Sequence, residues 1–215
     1  MADLRLPGLD ATASLHGGGR TVVVLGHGAG GNRHTPMLVA LAGSLAETGR
    51  AALLYNFPYA EARRRRPDPP SLLEAATRAA GRLALEATGA RAIVHGGRSM
   101  GGRIASQVVA EGERADGLVF LAYPLHPPGQ PGRLRDAHLP RITVPILFLQ
   151  GTRDAFARPD LLQKTVSALA PRAELVQVED ADHSFSVLKR SGLSAADVLA
   201  QVTAALLGWL DRHGL

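Results

Sequence analysis

The sequence contains no cysteine, which removes disulfides, thiol nucleophiles, Cys-ligated zinc and iron–sulfur clusters from consideration. Aromatic residues make up 4% of the chain, too few to interleave with basic residues as base-stacking platforms. Lysine occurs only at Lys164 and Lys189, so the net charge of +5 is carried by arginine. A basic balance raises nucleic acid as a partner. The arginines are scattered, however, apart from Arg63-Arg64-Arg65-Arg66, and no nucleic-acid partner is expected. No run approaches the roughly 18 apolar residues of a membrane-spanning helix. Met1 to Leu15 has neither the basic start nor the apolar stretch of a secretory leader. The expectation is a cytoplasmic protein without membrane contact.

What is present suits one domain over residues 1–215, long enough to bury a substantial core. Short apolar runs alternate with helical patterns, the signature of βαβ units in a mostly parallel sheet. Strands are predicted at Thr21 to Leu25, Ala51 to Phe57, Ala92 to His95, Gly117 to Tyr123, Pro145 to Gln150 and Glu174 to Val178. Ala11 to His16 would add an edge strand, making six to seven in all. Helices are predicted at Pro36 to Thr48, Ser71 to Thr88, Met100 to Glu111, Pro159 to Leu169 and Ser194 to Leu210. Ser71 with Glu74, and Ser194 with Asp197, have capping-box spacing. Pro124 to Arg141, with five prolines, is too short and irregular for a folded cap domain.

Gly97-Arg98-Ser99-Met100-Gly101 lies between a strand and a helix. Gly-x-Ser-x-Gly alone is weak, but in this setting it reads as a nucleophile elbow, a strained turn whose flanking positions admit only glycine. A hydroxyl needs a base to act as a nucleophile, and the base needs an acid to orient it. On this scaffold the chain order is Ser, acid, His, with acid and base on loops after later strands. Asp154 follows the PILFLQ strand, and His183 follows the last strand. Asp160, Asp180 and Asp182 are fallback acids. The Met100 N–H is one expected oxyanion donor, and the loop Gly26-His27-Gly28-Ala29-Gly30-Gly31 offers a second at Ala29.

That loop also matches the dinucleotide fingerprint Gly-x-Gly-x-x-Gly. The next strand ends in Tyr55-Asn56-Phe57-Pro58 without an acid for a ribose, and the rival fails there. Neither loop continues as Gly-Lys-Ser/Thr, so no triphosphate loop is present. No cofactor and no metal are expected.

The segments LGHGAGGNRHTPM, GGRSMGGRIAS, YPLHPPG, FLQGTRDAF and DADHSF together resemble the small, cap-less α/β-hydrolases of the dienelactone-hydrolase-like group, within it the testis-expressed-protein-like branch. The resemblance runs from Val22 to the final helix. It implies an α/β-hydrolase fold without a cap domain, with Ser99 as nucleophile, Asp154 as acid, His183 as base, and Ala29 and Met100 as oxyanion donors. Dienelactone hydrolases proper use a Cys nucleophile, where this chain has Ser99. The implied activity is hydrolysis of a carboxylic ester or thioester of a small molecule through a Ser acyl-enzyme. The alternative is a non-catalytic ligand-binding or interaction protein on the same scaffold, since fold does not imply function.

Candidate pocket residues at strand ends are His27, Arg98, Tyr55, Phe57, His126 and Phe156. Arg98, with Arg33 and Arg153 on neighbouring loops, suggests a substrate that carries a carboxylate.

Overall fold

The computed structural model describes residues 2–215. Eight strands form one sheet: β1 (Ala2–Arg5), β2 (Thr12–His16), β3 (Thr21–Gly26), β4 (Ala51–Tyr55), β5 (Ala92–Arg98), β6 (Gly117–Leu121), β7 (Ile146–Gly151) and β8 (Ala173–Val178), in the order β1-β2-β4-β3-β5-β6-β7-β8. β1 pairs antiparallel with β2, and β2 with β4; the other pairings are parallel. β3, β4, β6 and β7 are buried along their whole length. Parallel strands covered by helices on both faces require such apolar runs.

The helices are α1 (Pro36–Glu47), α2 (Pro58–Glu61), α3 (Pro70–Thr88), α4 (Met100–Ala110), α5 (Pro159–Ala168) and α6 (Ala195–Arg212). One face of the sheet packs Val23, Leu25 and Leu54 against Leu41 and Leu45 of α1 and Val202, Leu206 and Trp209 of α6. The other packs Val22, Val24 and Leu53 against Leu73, Ala76 and Ala80 of α3 and Ile104 of α4. Phe120 and Phe148 meet Leu162 and Val166 of α5 there. Among the described residues, no helix is long and apolar enough to cross a membrane.

Three expectations change. The sheet has eight strands, because Ala2–Arg5 pairs with β2 and makes Thr12–His16 an interior strand rather than an edge. The proposed cap at Ser71 does not form. α3 begins at Pro70, with Pro69 at the N-cap and no side-chain cap bond; the fixed φ of proline suits the first helical position and moves Ser71 inside the helix. At α6, by contrast, Ser194 and Asp197 make both bonds of a capping box.

The chain leaves β3 to one side for β4 and then crosses over to β5 on the other. The crevice at the carboxyl ends of β3 and β5 is therefore the topological switch point, where open α/β sheets bind ligands.

Candidate active site

β5 ends at Arg98 and α4 begins at Met100, which leaves Ser99 alone to make the turn. Its φ of 50° and ψ of −112° are strained for a residue with a side chain. Close approach enforces the strain. A Cβ at Gly97 or at Gly101 would overlap the Gly26 carbonyl at the end of β3. The Ser99 N–H donates to the Leu121 carbonyl at 2.9 Å, fixing the turn against β6.

His183 Nε2 lies 2.8 Å from Ser99 Oγ, and His183 Nδ1 lies 2.7 Å from Asp154 Oδ2. The sequence separates these residues by 84 and 29 positions, respectively. The Asp154 side chain has no exposed surface, whereas that of His183 is 19% exposed, so the acid is sealed and the imidazole reaches solvent. Asp154 is held from two further sides: Oδ1 accepts from the Phe156 N–H at 2.8 Å, and Oδ2 accepts from Gln150 Nε2 at 2.5 Å. Gln150 in turn accepts the Tyr123 N–H at 2.8 Å. No motif in the sequence marks Gln150. Its only signal is a buried-strand position occupied by an amide.

The fallback acids have other partners. Asp160 is paired with Arg158 at the surface. Asp182 accepts from the N–H groups of Ser184 and Ser186, shaping the loop that carries His183. Asp180 sits at a positive φ of 57°, and its carbonyl takes the Arg153 guanidinium.

Met100, at the first position of α4, has no intrahelical acceptor for its N–H. A Cβ on Gly28 would lie 3.5 Å from Ser99 Cβ, so the loop leading into the exposed Ala29 passes directly beside Ser99. Among the described residues no acceptor takes the Ala29 N–H.

The pocket candidates divide. Phe156 stacks on the His183 ring, with centroids 4.2 Å apart, and Arg98 donates to the His183 carbonyl and to Ser184 Oγ at 3.2 Å each. His126 borders a cavity of about 360 Å³ shared with Arg153, Asp154 and Arg158. Tyr55, Phe57 and His27 are fully buried. Tyr55 bonds Thr77, and Phe57 packs edge-on against His27. His27 is a brace under the Gly28 loop. Its Nδ1–H donates to the Gly28 carbonyl, and Nε2 accepts the Phe57 N–H. Burial pushes its pKa down to about 4, which keeps Nε2 free to accept.

The expected carboxylate-binding arginines are committed elsewhere. Arg33 bonds Asp3 at 2.6 Å and also reaches Ser14; Arg98 and Arg153 hold the His183 loop. Among the described residues, no three metal-ligating side chains converge.

Solved structures share this architecture over nearly the whole chain. A dienelactone hydrolase from Anabaena variabilis superposes with a TM-score of 0.75 at 20% identity, covering 98% of this chain and 95% of that one. A lidless α/β serine hydrolase from Xanthomonas campestris gives 0.74 at 18%, covering 98% and 94%. The Est1E protein of Butyrivibrio proteoclasticus with ferulic acid bound gives 0.78 at 14%, covering 99% of both. At such identities the likeness speaks for the fold. The sequence itself matches the model of the alpha/beta hydrolase domain across residues 19–211, and the chain belongs to that family.

Proposed function

We propose that the protein is a serine hydrolase that cleaves a carboxylic ester, or the corresponding thioester, of a small molecule through an acyl-enzyme on Ser99. The observation that carries this reading is the unbroken line of short contacts from Ser99 Oγ through the His183 ring to Asp154. A bare hydroxyl is a weak nucleophile at neutral pH. With His183 Nε2 taking its proton as the Ser99 oxygen adds to the carbonyl, the hydroxyl is activated in the step that needs it. Asp154 keeps the other ring proton on Nδ1 and stabilises the imidazolium that forms.

The tetrahedral oxyanion is met by the N–H groups of Met100 and Ala29, each worth on the order of a hundredfold to a thousandfold in rate. His183 then gives its proton to the departing alcohol or thiol and takes one from the water that hydrolyses the acyl-enzyme. The motifs resemble those of the cap-less dienelactone-hydrolase-like group and, within it, of the testis-expressed-protein-like branch, which supports this reading. An apolar groove of about 610 Å³ lined by Met37, Ser184, Val187 and Leu199 adjoins the His183 loop and provides room for apolar parts of the substrate.

The test is covalent labelling with a fluorophosphonate, the adduct located by mass spectrometry. Labelling at Ser99 that vanishes in Ser99→Ala and His183→Ala is the expected result. No labelling, or labelling that survives Ser99→Ala, leaves the non-catalytic reading. A series of 4-nitrophenyl esters then ranks acyl length.

A further inference from the structure

The arginine run that interrupts the sequence after β4 comes to lie beside the loop that passes the nucleophile. A cavity of about 480 Å³ is lined by Gly30, Gly31 and Asn32 on one side and by Tyr59, Arg63, Arg64 and Arg65 on the other. Gly30 is two residues beyond Gly28, which packs on Ser99. Two residues of chain span at most about 7 Å, so the cavity opens within a short reach of the proposed oxyanion loop.

Its charge is uncompensated. Arg64 is paired with Asp68 at 2.6 Å, and the other Asp68 oxygen accepts the Tyr59 N–H at 2.8 Å. That carboxylate is buried and is used up in holding the arginine loop in place. Among the described residues, no carboxylate stands within ion-pair distance of Arg63, Arg65 or Arg66. Arg63 holds a positive φ of 54°, a conformation costly for a residue with a side chain and concentrated at ligand-binding sites. Tyr59 is buried, and among the described residues its hydroxyl has no hydrogen-bond partner. A guanidinium presents a planar donor fork matched to carboxylate and phosphate oxygens.

We propose that this cavity is a subsite for an anionic group of the substrate, a carboxylate or a phosphate, with Arg63 and Arg65 as specificity-determining residues. The proposal rests on the hydrolase reading and names its substrate class: esters that carry a negative charge a few bonds from the scissile carbonyl.

The test compares 4-nitrophenyl monoesters of succinic, glutaric and adipic acid with the neutral butyrate, valerate and hexanoate. In the Arg63→Ala/Arg65→Ala protein the ratio of kcat/KM for anionic over neutral esters falls about tenfold, mainly through KM, as expected for charge-assisted contacts weakened by solvent. Arg20→Ala/Arg91→Ala makes the same change of net charge in a cavity at the opposite ends of β3 and β5 and leaves the ratio in place. A second readout is independent of turnover. Calorimetry on Ser99→Ala shows monomethyl adipate binding more tightly than methyl hexanoate, and the arginine substitutions remove the difference. Acetyl esters of hydroxy acids and of phosphorylated alcohols separate carboxylate from phosphate.

The proposal is overturned if anionic and neutral esters respond alike, if the Arg20/Arg91 control shifts the ratio equally, or if inorganic phosphate or an acidic peptide binds at Arg63 and Arg65 without any preference among esters. Failure of fluorophosphonate labelling sinks the hydrolase reading instead, and the calorimetric arm still decides whether the cavity takes anions.

Discussion

His95 sits in β5, three residues before the strand reaches Arg98, and is 1% exposed. Among the described residues, neither ring nitrogen has a hydrogen-bond partner. The ring lies against Gly81 of α3, where a Cβ would come within 2.6 Å of Cε1. Burial pushes its pKa from 6.5 down to about 4, with the charge of Glu113 pulling upward and that of Arg78 down. An unfolded chain would hold a proton on this ring below pH 6.5, and the folded one would not until about pH 4. Stability is therefore fully present above pH 6.5 and lost as pH falls through that window. Between pH 7.5 and pH 5 the loss works out at about 2 kcal/mol from this residue. The neutral ring adds a further penalty of about 1–3 kcal/mol for polar atoms without partners. His95→Leu, similar in volume, removes both. It should match or exceed the wild type in thermal stability at pH 7.5, and its lead at pH 5 should be larger by about 2 kcal/mol. For a chain of this length that is roughly 4–8 °C in melting temperature. The assay is calorimetry at the two pH values. His27 and His138 are also pushed down to about 4, so both proteins lose stability in acid and only the difference is diagnostic. An equal gap at the two pH values would refute the reasoning.

Gly101→Ala places a Cβ on the Gly26 carbonyl; we expect a loss of at least about 3 kcal/mol, or roughly 6–12 °C in melting temperature, with backbone colliding against backbone. Gln150→Leu removes a donor from Asp154 and strands the Tyr123 N–H. On the proposed mechanism, kcat for 4-nitrophenyl esters falls roughly tenfold to a hundredfold with little change in KM, as the acid and His183 lose their fixed orientation. An unaltered kcat would show that the Phe156 N–H holds Asp154 by itself. Ser194→Ala breaks the capping box of α6 at a cost of about 1 kcal/mol, visible as roughly 2–4 °C in a thermal melt.

The parts of this fold that were legible in the sequence are those with an unambiguous physical signature. TVVVL, GLVFL and ILFLQ are apolar on both faces because helices cover both. The elbow was readable because only glycine tolerates the approach of β3. β1 left no trace, since Ala2–Arg5 is short, polar and largely exposed. Tyr55 and Phe57 lie at the carboxyl edge of the sheet yet are fully buried, because strand position sets the edge while the packing of α3 decides what is covered. Arg33, Arg98 and Arg153 are adjacent to the site in sequence terms, but each meets a local acceptor once the loops are folded. Proximity in the chain carries no information about which charges find partners.

Backbone strain separates the two edges of the sheet more sharply than side-chain chemistry does. Among the described residues, five other than glycine have positive φ: Arg63, Ser99, Ala122, Asp180 and Phe185. All five follow the carboxyl ends of strands, on the edge where Ser99 lies. The turns that enter β4, β5 and β6 at the opposite edge have Gly49, Gly89 and Gly112 at positive φ, where it costs little. A left-handed residue with a side chain costs of order 1–3 kcal/mol and persists only when its surroundings over-determine it. Ser99 is the proposed nucleophile, Ala122 follows the strand whose Leu121 carbonyl fixes the elbow, and Asp180 and Phe185 bracket His183. Arg63 stands apart from that machinery, over the cavity beside Gly30. If strain at this edge marks places where a side chain is needed, Arg63 belongs to the same selected set as Ser99, and the need it answers is the charge it brings to the substrate.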